Sequence, residues 1–146
     1  MIRQTTLALA AILLAAAGPA WAQSHARKVA PDHLTDYWVR TNTHVYADAP
    51  NSGQGLDKVG CAAVSYDIGS DGKTRNIKVE KKVPSTSDFQ LTATSLVKGF
   101  QYRAAEDNDS DEPVHTYFIV PFNVPNGDKA TMQKVLASCH LAGYGD

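Results

Sequence analysis

Long apolar runs are nearly absent from this chain. Only Thr5–Gly18 (TTLALAAILLAAAG) comes near the ~20 residues that a membrane-spanning helix needs, and it falls short. A basic excess is missing too: 14 Lys and Arg against 15 Asp and Glu give a net charge of −1. No polybasic face is left for nucleic acid or for a membrane surface. Cysteine is down to Cys61 and Cys139. The five histidines (His25, His33, His44, His115 and His140) show no H-x-x-x-H or His-x-His spacing, which removes the common zinc patterns. Glycine-rich phosphate loops, serine-nucleophile motifs and paired carboxylates on one element are absent as well. The expectation is a protein that is not an enzyme and uses no cofactor or metal.

What the sequence does contain begins with an export signal. Arg3 forms a positive n-region, Thr5–Gly18 an apolar stretch, and Ala20-Trp21-Ala22 a small-x-small cleavage pattern. Residues 1–22 therefore read as a secretory signal peptide cut between Ala22 and Gln23. The competing reading, an uncleaved anchor, needs a longer run. No cysteine follows the run, which speaks against lipid attachment. The expected mature chain is exported, without stable membrane insertion after cleavage, and its length suits one domain.

Residues 23–36 (QSHARKVAPDHLTD) are polar and contain Pro31, which predicts a flexible leader before a domain over 37–146. Tyr37–Tyr46 is aromatic and β-branched and predicts a short strand. Ala47–Lys58, with Pro50, Gly53 and Gly55, predicts a surface loop. The clearest pattern starts at Val59, where Ala62, Val64, Tyr66 and Ile68 share one side at period two. The turn Gly69-Ser70-Asp71-Gly72 follows, then a return strand to Val83. That strand sets Ile77, Val79 and Val83 against Asn76, Lys78, Glu80 and Lys82. A charged face implies a half-buried antiparallel sheet.

Pro84 stops the second strand. Ser87 and Gln90 have capping-box spacing, and Phe89, Ala93, Leu96, Val97 and Phe100 form a helical apolar stripe, with Gly99 as an unfavourable interior residue. An acidic loop over 104–113 leads to a third strand, Val114–Val124. Its Val114, Thr116, Phe118, Val120, Phe122 and Val124 face the core. Pro121 places this strand at an edge, with the missing N–H turned outward. Asp128–Ala142 reads as a helix capped by Asp128, with Met132, Val135, Leu136 and Cys139 on one face. The expected fold is α+β: a three-stranded antiparallel sheet, a helix between strands 2 and 3, and an additional C-terminal helix.

Two cysteines in an exported chain point to a disulfide, with separate buried thiols as the alternative. Cys61 lies opposite Val64 and Tyr66 on its strand, beside the small Ala63 and Ser65, and Tyr117 and Ile119 share that side of the third strand. Small side chains admit a close neighbour. The C-terminal helix is therefore expected over part of this second face, joined by Cys61–Cys139. Other candidates carry less chemistry. Cys139-His140 would suggest a thiolate beside a base, but adjacent helical residues point about 100° apart. Asp107, Asp109 and Asp111 alternate like the start of a calcium loop, yet Glu112 stands where glycine is needed and Phe118 where a bidentate Glu is needed. A solvated acidic loop is the better reading. The Phe89–Phe100 stripe reads as core, not as a ligand pocket.

The block from Val59 to Val124 resembles the C-terminal domain of the TonB family, the periplasmic end of an energy transducer for outer-membrane receptors. The resemblance is carried by Gly60-Cys61-Ala62-Ala63-Val64-Ser65-Tyr66-Asp67-Ile68, Ser70-Asp71-Gly72 and Asn76-Ile77-Lys78-Val79. It continues through the helix with Phe89, Ala93 and Val97, then Gly99-Phe100-Gln101-Tyr102 and the last strand. Phe100-Gln101-Tyr102 stands where the family usually has Trp-x-Phe or Trp-x-Tyr. The chain departs from the pattern in lacking a Tyr-Pro before the first strand, a retained membrane helix and a proline-rich spacer. The C-terminal helix with its cysteine is also additional.

The resemblance implies a stand-alone periplasmic protein-binding module that does not transduce energy. It would bind a segment of an outer-membrane receptor, or of another envelope partner, by β-strand addition. The residues expected to form the receiving edge are Val114, His115, Thr116, Tyr117, Phe118, Ile119 and Val120. The same edge would also allow a homodimer. The alternative is a structural or stress-related envelope protein whose edge is capped, with Tyr37–Tyr46 as the expected cap.

Overall fold

The computed structural model describes residues 26–145, so the expected signal peptide over 1–22 lies outside the described residues. The hairpin forms where alternation predicts it. Strands β1 (Arg27–Lys28), β2 (Trp38–Arg40), β3 (Gly60–Ile68) and β4 (Thr74–Val83) come first in the chain, and β3 and β4 pair antiparallel. At their turn the Gly72 N–H donates to the Gly69 carbonyl at 2.8 Å. Gly72 takes a φ of +73° against the Tyr102 carbonyl, so a side chain there would be strained and obstructed. Ala62, Val64, Tyr66 and Ile68 are all buried in the main core.

The facing strand departs from the expectation. Val64 pairs with Val79 and Ala63 with Lys81, which leaves an extra residue between them. This bulge reverses the side-chain faces beyond it. Ile77 and Val79 therefore pack on the main core, while Val83 packs with Cys61 on the opposite side.

Helix α1 (Gln90–Lys98) covers the first face through Ala93 and Val97, with Phe89 and Phe100 buried at its two ends. The expected capping box is not formed. The Ser87 hydroxyl donates to the Pro84 carbonyl at 2.7 Å, and Phe89 occupies the N-cap position without a side-chain bond. Gly99 is the C-cap and not an interior residue, and Val45 packs where its side chain would stand.

Strand β5 (Tyr102–Ala104) and strand β6 (Val114–Phe122) complete the sheets. β6 pairs antiparallel with β3 along its whole length, from Gly60–Phe122 to Ile68–Val114. The class is α+β as expected, but the sheet is not a three-stranded antiparallel one. β1 adds parallel to β6, giving a curled mixed sheet in the order β1-β6-β3-β4, and β2 with β5 forms a separate two-stranded sheet. Residues 27–36, read as part of a flexible leader, are built into the domain: Val29 is 3 % exposed and Leu34–Asp36 forms a 3-10 turn. Val29 gives little local signal of this, because it stands in a short segment dominated by polar residues. Tyr37–Tyr46 does contain a strand, but it pairs with β5 and not with the sheet edge. Trp38 explains this: it is 2 % exposed, with its indole N–H donating to the Glu112 carbonyl at 2.9 Å, which commits β2 to the core.

Helix α2 (Lys129–Ser138) lies on the second face. The Asp128 carboxylate caps it, accepting from the Thr131 hydroxyl at 2.6 Å and the Thr131 N–H at 2.9 Å. These bonds hold the Asp128 carboxyl below the usual carboxylate range. The expected Cys61–Cys139 disulfide is present, with its Cα atoms 6.2 Å apart.

One buried group is unpaired. Thr116 is fully buried on β6, and its hydroxyl has no hydrogen-bond partner among the described residues. Thr116→Val keeps the shape and removes the unsatisfied oxygen. It is expected to stabilise the fold by about 1 kcal/mol, seen as a higher urea midpoint at an unchanged m-value.

Candidate functional site

The outer side of β6 is closed at one end and open at the other. Val29 donates its N–H to the His115 carbonyl at 2.9 Å, so His115 turns its backbone groups outward. Strand alternation then turns those of Tyr117, Ile119 and Pro121 the same way, while Val114, Thr116, Phe118 and Val120 turn theirs to β3. In the parallel register, residue 31 would be the next donor, to the Tyr117 carbonyl. That residue is Pro31, which has no N–H. The leader leaves the edge there: Ala30 bonds to the Gly145 carbonyl at 3.2 Å. From Tyr117 to Phe122 no strand pairs with this side among the described residues.

A cleft of about 510 Å³ borders this open stretch. Ala30, Pro31 and Asp32 form one wall, and Leu136, His140, Leu141 and Tyr144 form the other, on α2 and the segment after it. Tyr117 and Ile119 face this second side and pack with Cys61, Ala63, Val135 and Cys139. Phe118 also lines the cleft, although its ring belongs to the first face. The Cys61–Cys139 bridge ties α2 to the sheet beside this wall.

A polar cluster fixes the closed end. Asp67 and His115 are cross-strand partners, and the His115 Nδ1 lies 2.6 Å from the Asp67 carboxylate. With that nitrogen donating, Nε2 accepts from the Tyr144 hydroxyl at 3.1 Å, and the two rings stack with centroids 5.6 Å apart. Burial pushes the Tyr144 hydroxyl's pKa up, with the nearby Glu80 charge adding to it. Both His115 nitrogens are thus engaged, so the cluster ties the C-terminal segment to the sheet.

Of the seven residues expected to form the edge, Val114 and His115 are already paired with Arg27 and Lys28. Of the rest, Tyr117 and Ile119 turn outward backbone groups that no described strand receives, joined by the Pro121 carbonyl, which lay outside the expected range; Tyr117 itself is only 3 % exposed and Ile119 is partly buried. Pro31, Leu136, Leu141 and Tyr144 were not foreseen as parts of the site. Leu136 carried a signal, because it shares the helical face that holds Cys139. No family model matches this chain, and a search of curated proteins finds no relative. The resemblance to TonB C-terminal domains therefore rests on the motifs quoted above.

Proposed function

We propose that this protein is a non-enzymatic, periplasmic peptide-binding module that takes up an extended segment by strand addition on β6. The supporting observation is the interrupted edge: the chain's own strand ends at Lys28 and Pro31 cannot supply the next bond, which leaves the outward backbone groups of Tyr117, Ile119 and Pro121 without a strand partner beside a largely apolar cleft. Main-chain bonds would supply affinity and the cleft would select side chains. The opposite edge of the sheet is unsuited to this, because β4 carries the exposed Arg75, Lys78 and Lys81, a row of charge that deters pairing. By the resemblance, the partner is a periplasmic segment of an outer-membrane receptor or another envelope protein. Binding would then modulate a transducer without driving transport.

The capped-edge reading, a structural or stress-related envelope protein, draws on Arg27–Lys28 already covering two residues of β6. A titration of the 15N-labelled protein with receptor-derived N-terminal peptides separates the two. Strand addition shifts the amides of Tyr117 and Ile119. A capped edge leaves both unmoved at saturating peptide.

A further inference from the structure

We propose that the occupant of this edge is an extended segment of the form apolar–acidic–apolar, an assignment that rests on the strand-addition reading above. A strand paired with β6, in either direction, sends the residues registered with Tyr117 and Ile119 to the same face as those two side chains. That face is the cleft between the sheet and α2, where Leu136, Leu141 and Tyr144 wait for apolar groups. The residue between them, registered with Phe118, points to the other face. There the Arg40 guanidinium stands 6.0 Å from the Phe118 ring centroid and 4.8 Å from that of Phe100. Arg40 is exposed and forms no ion pair with a carboxylate among the described residues. A carboxylate on the middle residue of the incoming strand would lie beside this unpaired cation. The chemistry wanted thus alternates with the pleat: apolar on the α2 side, negative on the Arg40 side.

A second copy of the chain fits less well. Two β6 edges pairing about Phe118 would bring Phe118 opposite Phe118 and give Arg40 no carboxylate.

The test uses blocked, C-terminally amidated probes of sequence Ser-Gly-Val-Xaa-Val-Gly-Ser, with Glu, Gln or Lys at the centre. A fourth probe has Ser in place of both Val residues. Each is titrated into the exported chain while the backbone amides are followed. The Glu probe is expected to bind about tenfold more tightly than the Lys probe, with Gln between them. That ratio should fall to about one in Arg40→Gln. It should also shrink in about 0.5 M salt, a readout that does not depend on the variant folding well. The Ser probe should bind at least about tenfold more weakly.

Equal affinity of the Glu and Lys probes, with Tyr117 and Ile119 still shifting, overturns the charge assignment and leaves strand addition standing. Equal affinity of the Val and Ser probes overturns the apolar assignment in the same way. No shift with any probe overturns strand addition itself. Edge shifts that grow with protein concentration in the absence of peptide assign the edge to a second copy and overturn the proposal.

Discussion

Removing the Cys61–Cys139 bridge by a double alanine substitution is expected to cost about 4.5 kcal/mol. The bond spans a sequence separation of 78 residues, and closing a loop of that size restricts the unfolded chain by this amount in the chain-entropy account. The folded side of the balance offers little compensation. The second core has only Cys61, Ala63, Tyr117, Val135 and Cys139 as its buried members, and both sulfur-bearing residues are fully enclosed. Helix α2 therefore has few apolar contacts to keep it on the sheet once the bridge is gone. Urea unfolding of the oxidised protein and of the double variant gives the difference directly. Hydrogen exchange then adds the location: β3, β4 and β6 amides should lose protection only in step with the global loss, while α2 amides should fall to little or none. A change below about 1 kcal/mol would mean that packing alone seats the helix. Peptide binding is expected to weaken with the loss, because Leu136 and Leu141 form a wall of the cleft only while α2 is docked.

The local patterns that could be read from the sequence were those carried by many residues in phase. Four alternating apolar residues on β3 and the five-member stripe from Phe89 to Phe100 each repeat one period several times, and the Asp71-Gly72 step punctuates the hairpin between its strands. Noise at one position cannot hide them. The second face was legible for another reason: Cys61 and Cys139 fell on matching faces of two elements. Single-residue events were not legible. The bulge that sends Val83 across the sheet depends on one unpaired residue in β4. The Ser87 cap failed because the helix starts later than its spacing implies: Phe89 holds the N-cap position, and the Ser87 hydroxyl serves the Pro84 turn instead.

The site was harder to read than the fold, because it depends on where the chain is not paired. β1 is two residues long, too short for any periodicity, and its polar Arg27 and Lys28 look like solvent-facing leader. Its pairing is fixed by tertiary contacts that no local pattern encodes. Arg27 lies 3.4 Å from the Glu112 carboxylate and donates to the Tyr37 hydroxyl at 2.8 Å, and Val29 is buried against the main core. Glu112 is far away in sequence, and the pairing of Arg27 with Tyr37 repeats no pattern. Pro31 was visible as a break, but what it breaks could be seen only once β1 lay beside β6.

The outward turn of the edge can be tested with two neighbouring prolines. Val120 pairs with Ala62 and sends its N–H into the β3 ladder, so Val120→Pro removes a buried backbone bond and disrupts the packing of a buried side chain. A loss of about 3 kcal/mol or more is expected. Ile119 sends its N–H outward, where no strand receives it among the described residues, so Ile119→Pro leaves the ladder whole. Its cost should be confined to the partly buried Ile119 side chain, about 1–2 kcal/mol. The consequences for binding run the other way. Ile119→Pro removes one of the two outward donors at the centre of the open stretch and puts a ring on the edge, so affinity for an added strand should fall more than about tenfold. Ile119→Ala is the control, since it loses the same packing and keeps the donor. Its binding should stay much nearer to that of the unaltered protein. If Ile119→Pro proves as destabilising as Val120→Pro, the assignment of outward and inward residues on β6 is reversed. If Ile119→Pro and Ile119→Ala bind alike, the partner does not add as a strand, because backbone pairing is the interaction that only the proline removes.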